Sequence, residues 1–357
     1  MTHDTQPHSL ATIGLDVGDQ TTHLCVLDPE RRVLHRGRCP TRREPLLAAL
    51  QPFAGARVIL EAGSQSPWMA AALRQAGFVV QVADPRRVAL ISQDPRKTDR
   101  RDAEMLARLG SAMPELIGSV HHRDERTQAD VSVLRARDQV VVMRTRAILL
   151  IRSLHKALGH RLPSTSAASF HRRVQDSLAP ILRPAIDPLL PLLEQLEATI
   201  AHYDRLLTEL ARTRYPAAEQ LQQIRGVGPV TSVAFVLTVD DPHRFRRSRQ
   251  VGSWVGLCPR SHASGESAPQ LPISRSGDGY LRRLLVQCAH YLLGPNGEDC
   301  DLRRFGLRLK ARGGAGATQR AAVAVARKLA VLLHRLWVTQ ATYEPLRSAA
   351  RPPADPA

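Results

Sequence analysis

Two carboxylates set inside apolar runs constrain this chain more than any other feature. Asp16 interrupts Ala11-Thr12-Ile13-Gly14-Leu15-Asp16-Val17-Gly18, and Glu61 falls within Val58-Ile59-Leu60-Glu61-Ala62-Gly63. Both runs have the length and aliphatic content of short buried strands. A carboxylate in such a strand loses hydration worth several kcal/mol unless a cation or hydrogen-bond donors replace it. Asp99 and Asp102 lie three residues apart at the start of a helical segment, so both project to one side of it. Taken alone, that pair also fits an N-terminal helix cap, and Asp16 alone fits a phosphate loop. The four together point to a divalent-metal site of hard oxygen ligands, suited to Mg²⁺. Two such ions could activate a nucleophile and stabilise the leaving oxygen of a phosphodiester.

Around these residues the pattern reads as strands over 11–17, 22–27 and 33–38, separated by polar turns. A helix near 44–51, a strand at 58–62, a helix at 67–76 and a strand at 78–83 follow. A last helix begins near Thr98 or Asp99 and ends at Leu109, with Gly110 as its C-cap. Two hairpins followed by alternating units predict a mixed sheet with helices on its faces, an α/β domain over residues 10–112. Residues 115–215 read as helical, with a helix over about 127–158. Leu189, Leu193, Leu196, Ile200, Tyr203, Leu207 and Leu210 form a helix-period stripe. Such a stripe fits either a helical hairpin within the chain or a dimerisation stalk. A mostly helical region covers 217–347, and residues 348–357 read as a disordered tail.

Charge separates these regions. Residues 1–110 carry 15 Lys and Arg against 12 Asp and Glu, whereas residues 111–357 carry 35 against 21. The later part is therefore expected to face a polyanion, and nucleic acid fits best because no amphipathic membrane anchor is present. No run approaches the roughly 18 apolar residues of a membrane span, and Met1-Thr2-His3-Asp4 is unlike a signal peptide. The five cysteines show no paired short spacing, which argues against a zinc site or a disulfide framework. A cytoplasmic protein is expected.

Ile224-Arg225-Gly226-Val227-Gly228-Pro229-Val230-Thr231 looks like a helix-hairpin-helix turn. Gly226 and Gly228 would let backbone N–H groups approach DNA phosphate, although a plain tight turn between helices fits too. Arg260, Arg275, Arg282 and Arg283 stand in a basic stretch suited to phosphate contact. Between Arg260 and Arg275, a serine beside a small residue could attack phosphorus while arginines stabilise the developing charge. Composition does not choose among Ser261, Ser264, Ser267, Ser274 and Ser276.

Over essentially its whole length the chain resembles the DEDD-type transposases of the insertion sequence 110 family. The N-terminal resemblance rests on Ile13-Gly14-Leu15-Asp16, Leu60-Glu61-Ala62-Gly63 and Lys97-Thr98-Asp99-Arg100-Arg101-Asp102-Ala103. The C-terminal resemblance rests on Gly226-Val227-Gly228, Gly256-Leu257-Cys258-Pro259-Arg260 with Ser264-Gly265, and Ile273-Ser274-Arg275-Ser276-Gly277-Asp278 with Leu281-Arg282-Arg283-Leu284. The resemblance implies an RNase H-like, Holliday-junction-resolvase-like domain, a helical or coiled-coil linker, and a mostly α transposase domain. It implies Mg²⁺ on Asp16, Glu61, Asp99 and Asp102, and Ser264 as a nucleophile that links transiently to DNA. It also implies a structured non-coding guide RNA that pairs with donor and target DNA, and a homo-oligomer, dimer or tetramer. Here Ser261-His262-Ala263 replaces the more basic stretch usual before the serine, which keeps Ser261 as a second candidate.

The reading reached is a site-specific DNA recombinase that cuts and rejoins phosphodiesters. The first alternative is a resolvase-type nuclease that uses the acidic quartet and water and leaves no protein–DNA adduct. An actin-like ATPase would need a second Asp-x-Gly phosphate loop, which the sequence lacks. A non-catalytic nucleic-acid-binding protein would leave the buried carboxylates without a purpose.

Overall fold

The computed structural model of the chain describes residues 11–91, 98–260 and 271–347. The chain divides into two compact units, Met1–Glu125 and Arg126–Ala357. The first is built on a five-stranded sheet: β1 (Thr12–Val17), β2 (Thr21–Leu27), β3 (Val33–Pro40), β4 (Arg57–Glu61) and β5 (Val79–Ala83). Spatial order is β3-β2-β1-β4-β5. The first three strands form an antiparallel meander, and β4 and β5 run parallel to β1, so the sheet is mixed.

Strand alternation assigns the two faces. Ile13, Leu15, Leu24, Val58 and Leu60 point to one side and pack with Leu46 and Leu50 of α1 (Arg43–Leu50) and Met69 and Leu73 of α2 (Ser66–Gln75). After β5, a short helix α3 (Pro85–Ile91) precedes α4 (Asp99–Ala112). The opposite sheet face carries Cys25, Leu27 and Ile59, which pack on Ala103, Ala107, Leu106 and Leu109 of α4.

The observed strands and helices follow the sequence pattern to within about two residues, with two corrections. α3 has no counterpart in that reading. Gly110 is not a C-cap: α4 continues through it to Ala112. Contact explains the residue better than termination, because a Cβ at Gly110 would lie 2.2 Å from Cγ1 of Ile59. The glycine lets the helix lie close on β4.

The second unit is helical. Its elements are α5 (Glu125–Ala157), α6 (Phe170–Arg173), α7 (Arg183–Ile186), α8 (Leu189–Thr213), α9 (Pro216–Leu221), α10 (Pro229–Val239), α11 (Arg249–Trp254), α12 (Gly279–Leu293), α13 (Asp301–Ala311) and α14 (Ala317–Thr339). α5 and α8 pair antiparallel: Leu134 shares a core with Leu207, Arg137 donates to Asp204 at 2.5 Å, Arg144 pairs with Glu197, and Ile151 shares a core with Leu193. The leucine stripe of α8 is therefore taken up by a hairpin within the chain. Met143, Leu149 and Leu150 of α5 and Leu192 of α8 stay exposed.

α10 is apolar on every side and almost wholly buried, so it forms the core around which α8, α9, α12 and α14 gather. Near the α8–α9 junction, buried Asp130 accepts bonds from Arg214 at 2.7 Å and from the Tyr215 hydroxyl at 2.7 Å. All five cysteines are free thiols. Among the described residues no helix is long and apolar enough to cross a membrane.

Candidate metal centre and strand-handling region

The sheet register brings three side chains to one end of one face. β1 turns Thr12, Gly14 and Asp16 toward α4. The antiparallel ladder sets Gly14 opposite Cys25 and Asp16 opposite His23, so His23 shares that face. In the parallel ladder Gly14 lies opposite Ile59, and Glu61, two residues further along β4, rises on the same side. A close helix approach then completes the group. A Cβ added at Gly14 would stand 2.0 Å from the Ala103 carbonyl oxygen and 2.4 Å from the Ala107 nitrogen, so only glycine allows α4 to lie on β1. Asp99 is one turn before Ala103 on the helix stripe that touches the sheet, and Asp102 is one turn before Leu106. Both carboxylates thus overhang the ends of β1 and β4. Asp99 is the first helical residue, while Thr98 occupies the cap position without a side-chain cap bond. A helix cap is accordingly not the work of this aspartate.

Donor atoms of Asp16, His23 and Asp99 all lie within 4.8 Å of one another. His23 Nδ1 is 3.7 Å from an Asp99 carboxylate oxygen, beyond direct hydrogen-bond length. The Asp16 carboxyl is pushed up from 3.8 to about 6, first by burial, then by Asp102 and Asp99, with Glu61 adding and His23 opposing. Asp16, half-buried, therefore senses all three other carboxylates, whereas Glu61 and Asp99 are exposed, so the buried position expected for Glu61 is not met. The Asp16, His23 and Asp99 set fits a divalent cation, with two hard carboxylate donors within 4.8 Å of each other, while Asp102 and Glu61 stand outside that group; a cation would relieve the repulsion that helps raise Asp16. His23 escaped the sequence reading. Its signal was there, because a hairpin turn over 18–20 sets residue 23 opposite residue 16.

In the second unit, Gly226 takes φ +89°, and a Cβ there would meet the Tyr291 ring at 2.6 Å. It joins α9 and α10 by a turn whose last residue, Gly228, stands at the N-terminus of α10. A Cβ at Gly228 meets nothing within 4 Å. Ser261, Ser264 and Ser267 lie outside the described residues, and two bonded arms flank that stretch. Arg260 N–H donates to the Pro272 carbonyl at 3.0 Å, and Ser274 N–H donates to the Cys258 carbonyl at 2.8 Å.

These arms depend on two glycines with left-handed backbones. A Cβ at Gly256 would lie 2.2 Å from the Ser276 carbonyl oxygen, and one at Gly277 would lie 2.1 Å from that of Trp254. Arg282 sends its guanidinium to the Val255 and Ser276 carbonyls, each at 2.8 Å, and Asp278 caps α12 by accepting from Leu281 N–H. Ser274 and Ser276 bond each other at 2.9 Å. Arg275 carries a φ of +56°, and Arg283 pairs with Asp138 at 2.6 Å while lying over the Tyr280 ring. Of the four arginines singled out for phosphate contact, Arg282 and Arg283 are thus engaged within the protein. Arg260 and Arg275 flank residues 261–270, Arg260 with an exposed side chain.

Comparison with known proteins accords with this geometry. A family model described as a transposase, the DEDD transposase of IS110 elements, matches residues 13–158 and so spans all four acidic residues. A second, described as the Transposase IS116/IS110/IS902 family, matches residues 218–298, which include the Gly226 turn and both arms. The chain is 28% identical to the transposase for insertion sequence element IS1111A of Coxiella burnetii, covering 93% of this chain and 90% of that protein. It is 28% identical to a probable family 20 transposase of Pseudomonas aeruginosa (94% and 99% covered). It is 27% identical to the transposase for element IS1328 of Yersinia enterocolitica (79% and 83% covered). With two models of one family matching more than half of its residues, and relatives aligned along nearly its full length, this chain belongs to the IS110 family of transposases, enzymes of DNA transposition whose DEDD members use divalent metal ions.

Proposed function

We propose that the protein is a DNA recombinase that cuts and rejoins strands by serine attack, with an RNase H-like first unit as its metal-dependent half. The observation that carries this reading is the grouping of Asp16, Asp99 and His23 donor atoms within 4.8 Å, with Asp102 and Glu61 near enough that their charge adds to burial in lifting the Asp16 carboxyl to about 6. Asp16, Glu61, Asp99 and Asp102 would hold Mg²⁺, with His23 Nδ1 as a neighbouring donor. A bound divalent ion would supply charge neutralisation at a phosphate oxygen and a lowered barrier to displacement.

Ser264 would provide the nucleophile. Its hydroxyl loses a proton as the oxygen bonds to phosphorus, the bond from phosphorus to one sugar oxygen breaks, and that sugar leaves as an alcohol. Reversal with a different sugar hydroxyl restores a phosphodiester, so no ATP is needed. The role of the arms would be to present residues 261–270 on a rigid base, with Gly256, Gly277 and Arg282 holding that base. Gly226 and Gly228 would let α10 approach phosphate, as in a helix-hairpin-helix. The net positive charge of the second unit suits both donor and target DNA and an element-encoded guide RNA. A homo-oligomer is supported by the exposed apolar side chains of α5 and α8, and a cytoplasmic site of action agrees with these partners.

A covalent-adduct assay tests the reading. Purified protein, Mg²⁺, RNA from the flanking non-coding end and labelled element-end DNA are combined, and the products are mapped by mass spectrometry. The expected result is a DNA adduct on Ser264 that disappears in Ser264→Ala and in Asp16→Asn. Metal-dependent cleavage that survives Ser264→Ala with no adduct would replace this mechanism by a resolvase-type nuclease that uses water.

A further inference from the structure

The cations of the second unit divide into two groups. Arg282, Arg303 and Arg320 are bound to backbone carbonyls, Arg320 to those of Gly313 and Ala315, and Arg214, Arg225, Arg283 and Arg304 to carboxylates. Arg249, Arg327, Lys328, Arg335 and Arg347 have no carboxylate partner among the described residues, and with Arg320 they line one groove of about 1060 Å³. Only two carboxylates, Asp301 and Glu344, share it. Four of the cations stand on one side of α14 at positions 320, 327, 328 and 335, spread over about 22 Å of helix at 1.5 Å per residue.

Between the cations the floor is apolar. Leu257, Ile273, Phe305, Val331 and Leu332 contribute to it, and Lys328 Nζ sits 4.2 Å from the Phe305 ring centroid. A basic rim over an apolar, concave floor suits a particular form of polyanion. A duplex keeps its bases stacked inside and offers only sugar and phosphate, so it would bury this floor against charge. An unpaired strand can turn base faces inward while its phosphates stay on the rim. The second unit's own segments outside the described residues are poor occupants, since residues 261–270 hold only Glu266 as a charge and residues 348–357 hold one Arg and one Asp.

We propose that this groove binds a short unpaired stretch of nucleic acid, bases on the Phe305–Val331 floor and phosphates on the α14 cations. One wall, formed by Pro259, Pro272 and Ile273, belongs to the arms that lead to residues 261–270, so the strand held here runs beside them. The inference rests on the reading that this unit handles strands, but not on its serine or metal chemistry.

The test is fluorescence anisotropy with the full chain carrying Asp16→Asn and no divalent ion, which separates binding from cleavage. The probes are labelled oligo(dT), oligo(rU) and a blunt duplex of equal length. Arg327→Glu with Lys328→Glu is expected to weaken both single strands at least tenfold and the duplex less than threefold. The slope of log affinity against log salt should become shallower by about 1.4 for two lost single-strand contacts. A tenfold preference between oligo(dT) and oligo(rU) would assign the groove to DNA or to RNA, and equal binding to an unpaired strand of either kind. Photo-crosslinking of 4-thiothymidine oligonucleotide to the unaltered groove, expected at Phe305 or Tyr343, guards against misfolding of the variant. Equal losses on single strands and duplex, or crosslinks wholly outside the groove, would overturn the proposal.

Discussion

Gly14→Ala isolates the contact on which the metal centre depends. The new Cβ would sit 2.0 Å from the Ala103 carbonyl oxygen, 2.4 Å from the Ala107 nitrogen and 3.0 Å from the Ala107 Cα. All three are backbone atoms, so no rotamer change relieves them, and α4 must retreat by about 1 Å or more to restore a van der Waals gap. Overpacking of this kind costs about 1–3 kcal/mol, and contact with helix backbone places it toward the upper end. For a unit of this size that amounts to a fall in Tm of roughly 10 °C. The retreat also carries Asp99 and Asp102 away from Asp16, and a misplacement of about 1 Å at a reacting centre costs on the order of 100-fold in rate. Thermal unfolding with and without Mn²⁺, together with calorimetric metal titration, reads both effects. Gly63→Ala is the control, because a Cβ there meets nothing within 4 Å and should leave Tm and metal affinity unchanged. A Gly14→Ala protein that melts within about 2 °C of the parent and binds Mn²⁺ equally well would refute the argument that this approach assembles the site.

Because the folded Asp16 carboxyl lies at about 6 rather than 3.8, the folded state holds its proton more tightly than the unfolded chain does. The contribution of Asp16 to stability without divalent ion should therefore be fullest below pH 4 and fall by about 1–3 kcal/mol, after allowance for solvent screening, as pH rises through 6, while the lowered carboxyls of Asp28, Glu104 and Asp299 act in the opposite sense at acid pH. Asp16→Asn should flatten that part of the profile, and urea midpoints that track the parent at every pH between 4 and 7 would contradict it. Asp130→Ala strands Arg214 and the Tyr215 hydroxyl, so urea unfolding should report a loss of about 2–4 kcal/mol, with Tyr215→Phe costing about 1. Removing the Asp130 acceptor should also bring the Tyr215 phenol down from about 12, measurable by ultraviolet titration. Gly277→Ala places a Cβ 2.1 Å from the Trp254 carbonyl oxygen at a left-handed φ, and should destabilise the second unit by about 2 kcal/mol or more. Unchanged proteolytic resistance on either side of residues 261–270 in that variant would count against the framing role of the arms.

The local chemistry of the chain was legible in its sequence. Alternating and helix-period hydrophobicity located β1 to β5, α1, α2, α4 and the long helices α5 and α8, because burial of one face depends on nearest neighbours along the chain. The anomalous carboxylates stood out for the same reason, since a charge inside an apolar run is visible without knowing its partners. What the sequence could not determine was which groups face one another across the sheet. His23 joins Asp16 only through the antiparallel register of β1 and β2, and α4 lies over β1 only because Gly14, Ala103 and Ala107 together allow the backbones to touch. Gly110 was misread as a stop because a glycine that ends a helix and one that lets a helix press on Ile59 are identical in sequence. In the second unit, the basic composition pointed to a polyanion, but sorting arginines held by carboxylates from those on the α14 groove that have none required their partners' positions. Pattern along the chain decides which elements form and which faces are buried; long-range contact decides which charges are compensated, and so where chemistry and binding can occur.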